Sequence, residues 1–196
     1  MPRPRLSDGT RRRLLDASVT NFLERGFHGT GIQQVLDEVG VPKGSFYNYF
    51  ASKEDWGVAV IGHYADTCSR QLVEAQDGAK TPVESLRRFF ELQMRDFERT
   101  DFVGGCLLAN LAGELDGSEA TRRALRDAFD GWRDGIRDLI AAGQTQGLVR
   151  DDMTALELAE MLLESWEGAV IRMKIDKSLA PVRRTLDRLL DGYFRP

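Results

Sequence analysis

Apolar residues recur at helical spacing along almost the whole chain. Residues 10–25, TRRRLLDASVTNFLER, set Leu15, Val19 and Phe22 on one face with Leu14 and Leu23 beside it, and Gly26 follows as a stop. Thr30 is placed to cap a short helix, GIQQVLDEV, that ends at Gly40. Pro42 suits the start of the next short helix, where its missing N–H would have no partner anyway. Ser52 can cap a longer helix with Asp55 in the capping-box position, running to about Gln76. After a break at Gly78 to Pro82, helix 83–99 carries Leu86, Phe89, Phe90, Met94 and Phe97. DFVGGC at 101–106 reads as a turn into the short helix CLLANLAGEL. A long helix from Ser118 has its end loosened by Gly143 and Gly147, Thr154 opens another, and the last spans 181–194. No strand of useful length, internal repeat or low-complexity tract is evident. The expected fold is all-α with about nine helices: a small three-helix head at 1–53, a linking helix at 53–76, and a helical remainder within 54–196.

A chain of 196 residues, 42% hydrophobic and 30% charged, can bury a core without disulfides or metals. No apolar run approaches the ~20 residues of a membrane span, and no apolar stretch follows the arginines of MPRPRLSDGT, so neither a span nor a secretory signal is expected. Two cysteines, Cys68 and Cys106, make no disulfide framework and fit a reducing cytoplasm. The net charge of −4 argues against nucleic acid until it is divided: residues 1–53 carry +3 and residues 54–196 carry −7. Phosphate affinity follows the local patch, not the total.

The basic third contains GVPKGSFYNYFASKEDW, residues 40–56. Two short helices, 31–38 and 42–49, joined at Gly40–Val41 have a helix-turn-helix layout. The second would enter the major groove with its N-terminal residues leading. Gly44 lets the backbone approach closely, and Lys43 and Ser45 offer donors. Phe46 and Phe50, four apart, share a face and are expected inside. Tyr47 and Tyr49, two apart, cannot share a face, and their hydroxyls are expected on phosphates at either side of a groove. Lys53 opens the next helix, where unpaired N–H groups also favour a phosphate.

Residues 10–56 resemble the DNA-binding domain of the TetR family of bacterial transcriptional repressors, most of all in GVPKGSFYNYFASKE. Leu36, where alanine is usual, and Gly31, where Thr or Ser is common, depart from that pattern. The resemblance implies DNA contacts at Thr30, Gln33, Lys43, Gly44, Ser45, Tyr47, Tyr49 and Lys53. Gln33 and Lys43 are the choices for base edges, because Gln suits adenine and Lys suits guanine; the others would position the backbone. Arg3, Arg5 and Arg11 to Arg13 would add sequence-independent attraction. A head this small reads few base pairs, so the resemblance implies a homodimer, built by the helices at 154–174 and 181–194, on a palindromic double-stranded operator.

The resemblance also implies an inducer pocket within helices 83–140, with Phe89, Met94, Phe97, Phe102, Phe129, Trp132 and Trp166 as candidate lining; the same residues at helical spacing also suit a plain core. FVGGCLLANLAGEL sets Cys106 after two glycines at a helix N-terminus, where a thiolate is favoured. It resembles a segment of a TetR branch that controls detoxification of reactive electrophiles or acrylate-type compounds. Cys106 is therefore expected to sense an electrophile or oxidant, or else to line a pocket for a small acid, with a buried apolar filler as the plain alternative. No cofactor or metal is expected. His28 and His63 stand in no ligand spacing, and Asp37–Glu38 and Asp151–Asp152 point to different faces, so catalysis is not expected. A protein-binding adaptor and a ligand-dependent activator are the competing functions.

Overall fold

The computed structural model describes residues 8–115 and 117–196. Among them are nine α-helices and no strand: α1 (Asp8–Gly29), α2 (Ile32–Val39), α3 (Phe46–Tyr49), α4 (Lys53–Gln76), α5 (Pro82–Arg99), α6 (Leu107–Glu114), α7 (Glu119–Thr145), α8 (Ala155–Asp176) and α9 (Ala180–Arg188). A 3-10 turn, Lys43–Ser45, leads into α3, and a wide turn, Leu189–Tyr193, follows α9. The chain forms two compact units, one up to Tyr64 with Leu107–Arg126, the other Ala65–Cys106 with Asp127–Pro196. Thus α6 and the start of α7 pack with the N-terminal helices.

The first unit is built on rings and a few buried polar groups. Phe22, Phe46, Phe50 and Trp56 are buried; Phe22 meets Trp56 edge-on at 4.8 Å between centroids, and Phe46 lies 5.4 Å from Phe50. The inward pair at 46 and 50 is as its spacing requires. The buried face of α1 differs from the expected one. It consists of Leu14, Leu15, Ser18, Asn21 and Phe22, with Val19 and Leu23 only half-buried. Trp56 Nε1 donates to Ser18 Oγ at 2.8 Å, and Ser18 Oγ donates to the Leu14 carbonyl. Asn21 Nδ2 donates to Glu38 Oε2 at 2.8 Å, while Asn21 Oδ1 accepts from Gln34 Nε2 at 2.6 Å. Each buried polar group thus has a partner, as a water-poor interior demands.

Thr30 does not cap α2. Gly31 occupies the cap position with no side-chain bond, and Thr30 is wholly buried with its hydroxyl donating to the carbonyls of Gly26 (2.7 Å) and Asn21 (3.2 Å). Gly26 does break α1: its φ of 75° and ψ of 173° leave the helical region. The glycine is also required by space, since a Cβ there would stand 2.4 Å from Glu114 Oε1. Glu114 Oε2 accepts the His28 N–H at 3.0 Å, tying α6 to the end of α1. At α4 the expected cap is present: Asp55 N–H donates to Ser52 Oγ at 3.0 Å, and Asp55 Oδ2 accepts from the Ala51 N–H at 2.8 Å.

The second unit is closed by α8 and α9, which pack on each other. Thr154 and Glu157 form a full capping box at the start of α8. Gly143 does not loosen α7. It lies inside the helix, where a Cβ would come 2.8 Å from Val149, and the chain turns only at Gly147, with φ +66°. The last helix stops short of 194 because its end widens, the Phe194 N–H reaching back to the Leu189 carbonyl at 2.8 Å.

Candidate functional site

The reading surface is set by a sharp reversal after α2. Gly40 adopts a left-handed conformation (φ 72°, ψ 36°), and the Val41 N–H returns to the Leu36 carbonyl at 2.8 Å. A side chain at 40 would be strained there, so glycine fits. Leu36, the departure from the family pattern, is buried. The following segment is anchored inward by Phe46 and Phe50, leaving Lys43, Gly44 and Tyr47 exposed, Tyr47 by 72%. Ser45 and Tyr49 are half-buried. Gln33 is exposed on α2 with its amide donating to Asp37 Oδ1 at 2.5 Å. Lys53 holds its ammonium 4.7 Å from the centre of the Phe27 ring. These residues lie in the one unit, but Thr30 has no surface to offer and is removed from the expected set. Of the arginines, Arg11 lies over the Phe50 ring, Arg13 Nη2 donates to the Val39 carbonyl at 2.6 Å, and Arg3 and Arg5 lie outside the described residues.

The expected pocket residues separate into packed rings and lining. Phe89, Phe97 and Trp166 are buried around Phe90: Phe90 lies 4.5 Å and Phe97 6.1 Å from Trp166, and Phe89 lies 5.1 Å from Phe90. Trp132 is buried, stacks on Phe129 at 6.4 Å, and has no hydrogen-bond partner for its indole N–H. Met94 lines a charged groove of about 390 Å³ with Arg87, Glu91 and Arg183. Phe102 is half-buried with φ +61°, in a turn where Asp101, Gly104 and Gly105 also have positive φ. Phe129 lines a cavity of about 470 Å³ between α7 and α8, together with Asp130, Arg133, Glu160, Leu163, Glu164 and Glu167. Arg133 is ion-paired with Asp130 at 2.7 Å, so the lining is acidic on balance.

Cys106 is a buried thiol immediately before α6, as is Cys68 within α4. The backbone before Cys106 presses on α8: a Cβ on Gly105 would meet Val170 Cγ1 at 3.0 Å and Lys174 Cδ at 2.9 Å. One turn back along the same face is Glu167, which sequence reasoning passed over. Both Glu167 carboxylate oxygens are shielded and lack an aligned hydrogen-bond partner. Burial pushes its carboxyl up to about 7, and the neighbouring Cys106 thiol offsets this only in part. In sequence, Glu167 stands in no motif or ligand spacing, so no signal marks it.

The N-terminal geometry is that of a helix-turn-helix regulator. Residues 14–55 match the family described as bacterial regulatory proteins, tetR family, and residues 82–189 match the tetracyclin repressor-like C-terminal domain. The chain is 33% identical to the HTH-type transcriptional repressor DhaR of Mycobacterium sp. (strain GP1), over 94% of this chain and 90% of that one. It is 32% identical to the HTH-type transcriptional repressor NemR of Escherichia coli (strain K12), over 90% of each. Regulatory protein TetR from Rhodobacter sphaeroides has a similar structure, with a TM-score of 0.86, 30% identity, and 93% of this chain and 98% of that one covered. The reduced form of E. coli NemR superposes with a TM-score of 0.81, 30% identity, and coverage of 93% and 96%. The chain belongs to the TetR family, and it is a DNA-binding transcriptional regulator. No described helix is long and apolar enough to cross a membrane.

Proposed function

We propose that this regulator is a cytoplasmic homodimeric repressor. It holds a palindromic operator in the nucleoid and releases it when a small electrophile reaches Cys106. DhaR and NemR are both named repressors, which favours repression over activation. The observation that carries the inducer reading is the Cys106 thiol, on the residue that leads into α6, beside the carboxyl of Glu167. A ligand that favours one arrangement of the two reading heads lowers operator affinity by its differential binding to that arrangement. The test is operator binding before and after mild treatment with N-ethylmaleimide, in wild type and Cys106→Ser. Loss in wild type alone is the expected result; equal loss in both proteins sinks the thiol and turns attention to a reversible ligand.

The DNA contacts proposed are Gln33, Lys43, Gly44, Ser45, Tyr47, Tyr49 and Lys53. Lys43→Ala and Gln33→Ala are each expected to cost about 1–3 kcal/mol and to relax preference at one base position. Tyr47→Phe is expected to weaken all operator sequences alike, because a phosphate contact carries no base information. Titrations against base-substituted operators separate these patterns, and a Lys43→Ala protein with undiminished selectivity would remove Lys43 from the base-reading set. Affinity should also fall steeply with added salt; a flat response would favour a protein-binding adaptor.

For the dimer, the supporting feature is an apolar strip on α8. Ile171 and Ile175 are 59% and 68% exposed, and a Cβ on Gly168 would meet nothing within 4 Å. A mid-helix glycine costs about 1 kcal/mol against alanine, which close approach of a second α8 would explain.

A further inference from the structure

The four polar side chains of α2 form two sets with different tasks. Gln34 and Glu38, four apart, both meet Asn21 of α1: Gln34 Nε2 donates to Asn21 Oδ1 at 2.6 Å, and Glu38 Oε2 accepts from Asn21 Nδ2 at 2.8 Å. They fasten α2 to α1. Gln33 and Asp37, also four apart, are exposed, and Gln33 Nε2 donates to Asp37 Oδ1 at 2.5 Å. That bond stays within α2. Asp37 is a poor residue for the helix that carries it. It stands in the last turn, beside Glu38 and with no basic residue, where the negative end of the helix dipole disfavours a carboxylate. Aspartate is also a weak helix former. Its charge is set on the exposed face of a segment, residues 1–53, that carries +3. What Asp37 does is hold the amide of Gln33.

We propose that Asp37 is a specificity-determining residue of the operator contact, holding the Gln33 amide by its nitrogen so that Gln33 accepts adenine and refuses guanine. This rests on the reading of Gln33 as a base contact. A carboxylate only accepts hydrogen bonds, so the amide nitrogen and not its oxygen must face Asp37. An unheld glutamine amide can turn, and its two N–H bonds can both donate to the O6 and N7 acceptors of guanine. Asp37 takes one of them. One N–H and the carbonyl oxygen remain, a donor beside an acceptor, which is the complement of adenine N7 and N6–H₂. To meet guanine, Gln33 must release Asp37 and leave its carboxylate unpaired near two further acceptors, where like charge and partial charge repel. The same carboxylate opposes phosphates of every sequence, which lowers unselective binding and widens the contrast.

The probe is a pool of duplex DNA of randomised sequence, from which full-length wild type, Asp37→Ala, Asp37→Asn and Gln33→Ala each select binders. Fluorescence anisotropy then measures each protein on duplexes that differ only by adenine or guanine at one position. Wild type is expected to favour adenine by about tenfold or more at a position that loses its preference in Gln33→Ala. Asp37→Ala should bring that ratio close to even and leave the other positions as they were. Asp37→Asn should keep part of the ratio, because its amide oxygen can still accept from Gln33. Both Asp37 variants should bind unselected DNA more tightly than wild type. An Asp37→Ala protein with the wild-type ratio overturns the proposal. So does a change at a position that Gln33→Ala leaves untouched, since Asp37 would then read a base itself. A loss of preference spread over all positions also overturns it, as a fault in the fold of the head. If Gln33→Ala alters no position, the reading of Gln33 as a base contact fails first and the proposal falls with it.

Discussion

The double substitution Ile171→Asp and Ile175→Asp is expected to yield a folded monomer with operator affinity lowered at least a hundredfold. Both side chains are mostly exposed on α8 within the protomer, so their replacement removes little packing from it. In the proposed dimer they would face a second α8, and each aspartate would have to be desolvated against an apolar partner. Losing the dimer turns one two-headed binding event into two independent ones. The second head then loses an effective concentration that, in tethered systems, raises avidity by roughly 10²–10⁴. Light scattering gives the mass, circular dichroism the helix content, and fluorescence anisotropy the affinity. A double variant that remains dimeric with wild-type affinity would place the interface elsewhere.

Glu167→Gln is expected to stabilise the protein at pH 8 and to erase a pH dependence that wild type shows. The carboxyl sits at about 7 in the fold against an ordinary 4.5, so between those values the folded chain holds a proton that the unfolded chain has released. The contribution is fully favourable below about pH 4.5, declines as pH rises, and is lost above about 7. The difference between the two values corresponds to roughly 3 kcal/mol. Glutamine keeps the shape without an ionisable proton. Glu119, Asp152 and Glu157 are held below the usual carboxylate range, by Arg122, Arg150 and the Thr154 cap respectively, so they act oppositely at acid pH. They are common to both proteins and cancel in the difference. Urea unfolding of both proteins from pH 5 to 8.5 checks this: the wild-type curve should fall away from the variant's as pH rises, and parallel curves would refute the buried charge cost.

The helices were legible because their apolar spacing, caps and stops are local. Ser52 with Asp55, Gly40, and the inward pair Phe46 and Phe50 follow from geometry within a few residues. The misreadings arise where a distant partner decides the role. Thr30 looks like a cap until α1 supplies carbonyls for its hydroxyl. Ser18 and Asn21 have no place in an apolar stripe, and only Trp56, Glu38 and Gln34 explain their burial. Gly143 looks like a loosened end until Val149 closes on it. Aromatic residues at helical spacing cannot by themselves distinguish a packed cluster from a lined cavity. Phe89, Phe97 and Trp166 cluster with Phe90, whereas Phe129 lines space. Glu167 was invisible because its surroundings include Cys106, 61 residues away.

The arrangement around α3 has a consequence for how such a regulator acquires new targets. Phe46 and Phe50 anchor this segment, while the head's polar ties run through Ser18, Asn21, Thr30 and Trp56, away from Lys43, Gly44 and Tyr47. The residues proposed to choose the operator and the residues whose polar ties hold the head together are therefore largely different sets. Exposed positions along 43–48 can be exchanged with little effect on stability, so a duplicated copy could drift to a new operator one substitution at a time without passing through an unfolded ancestor.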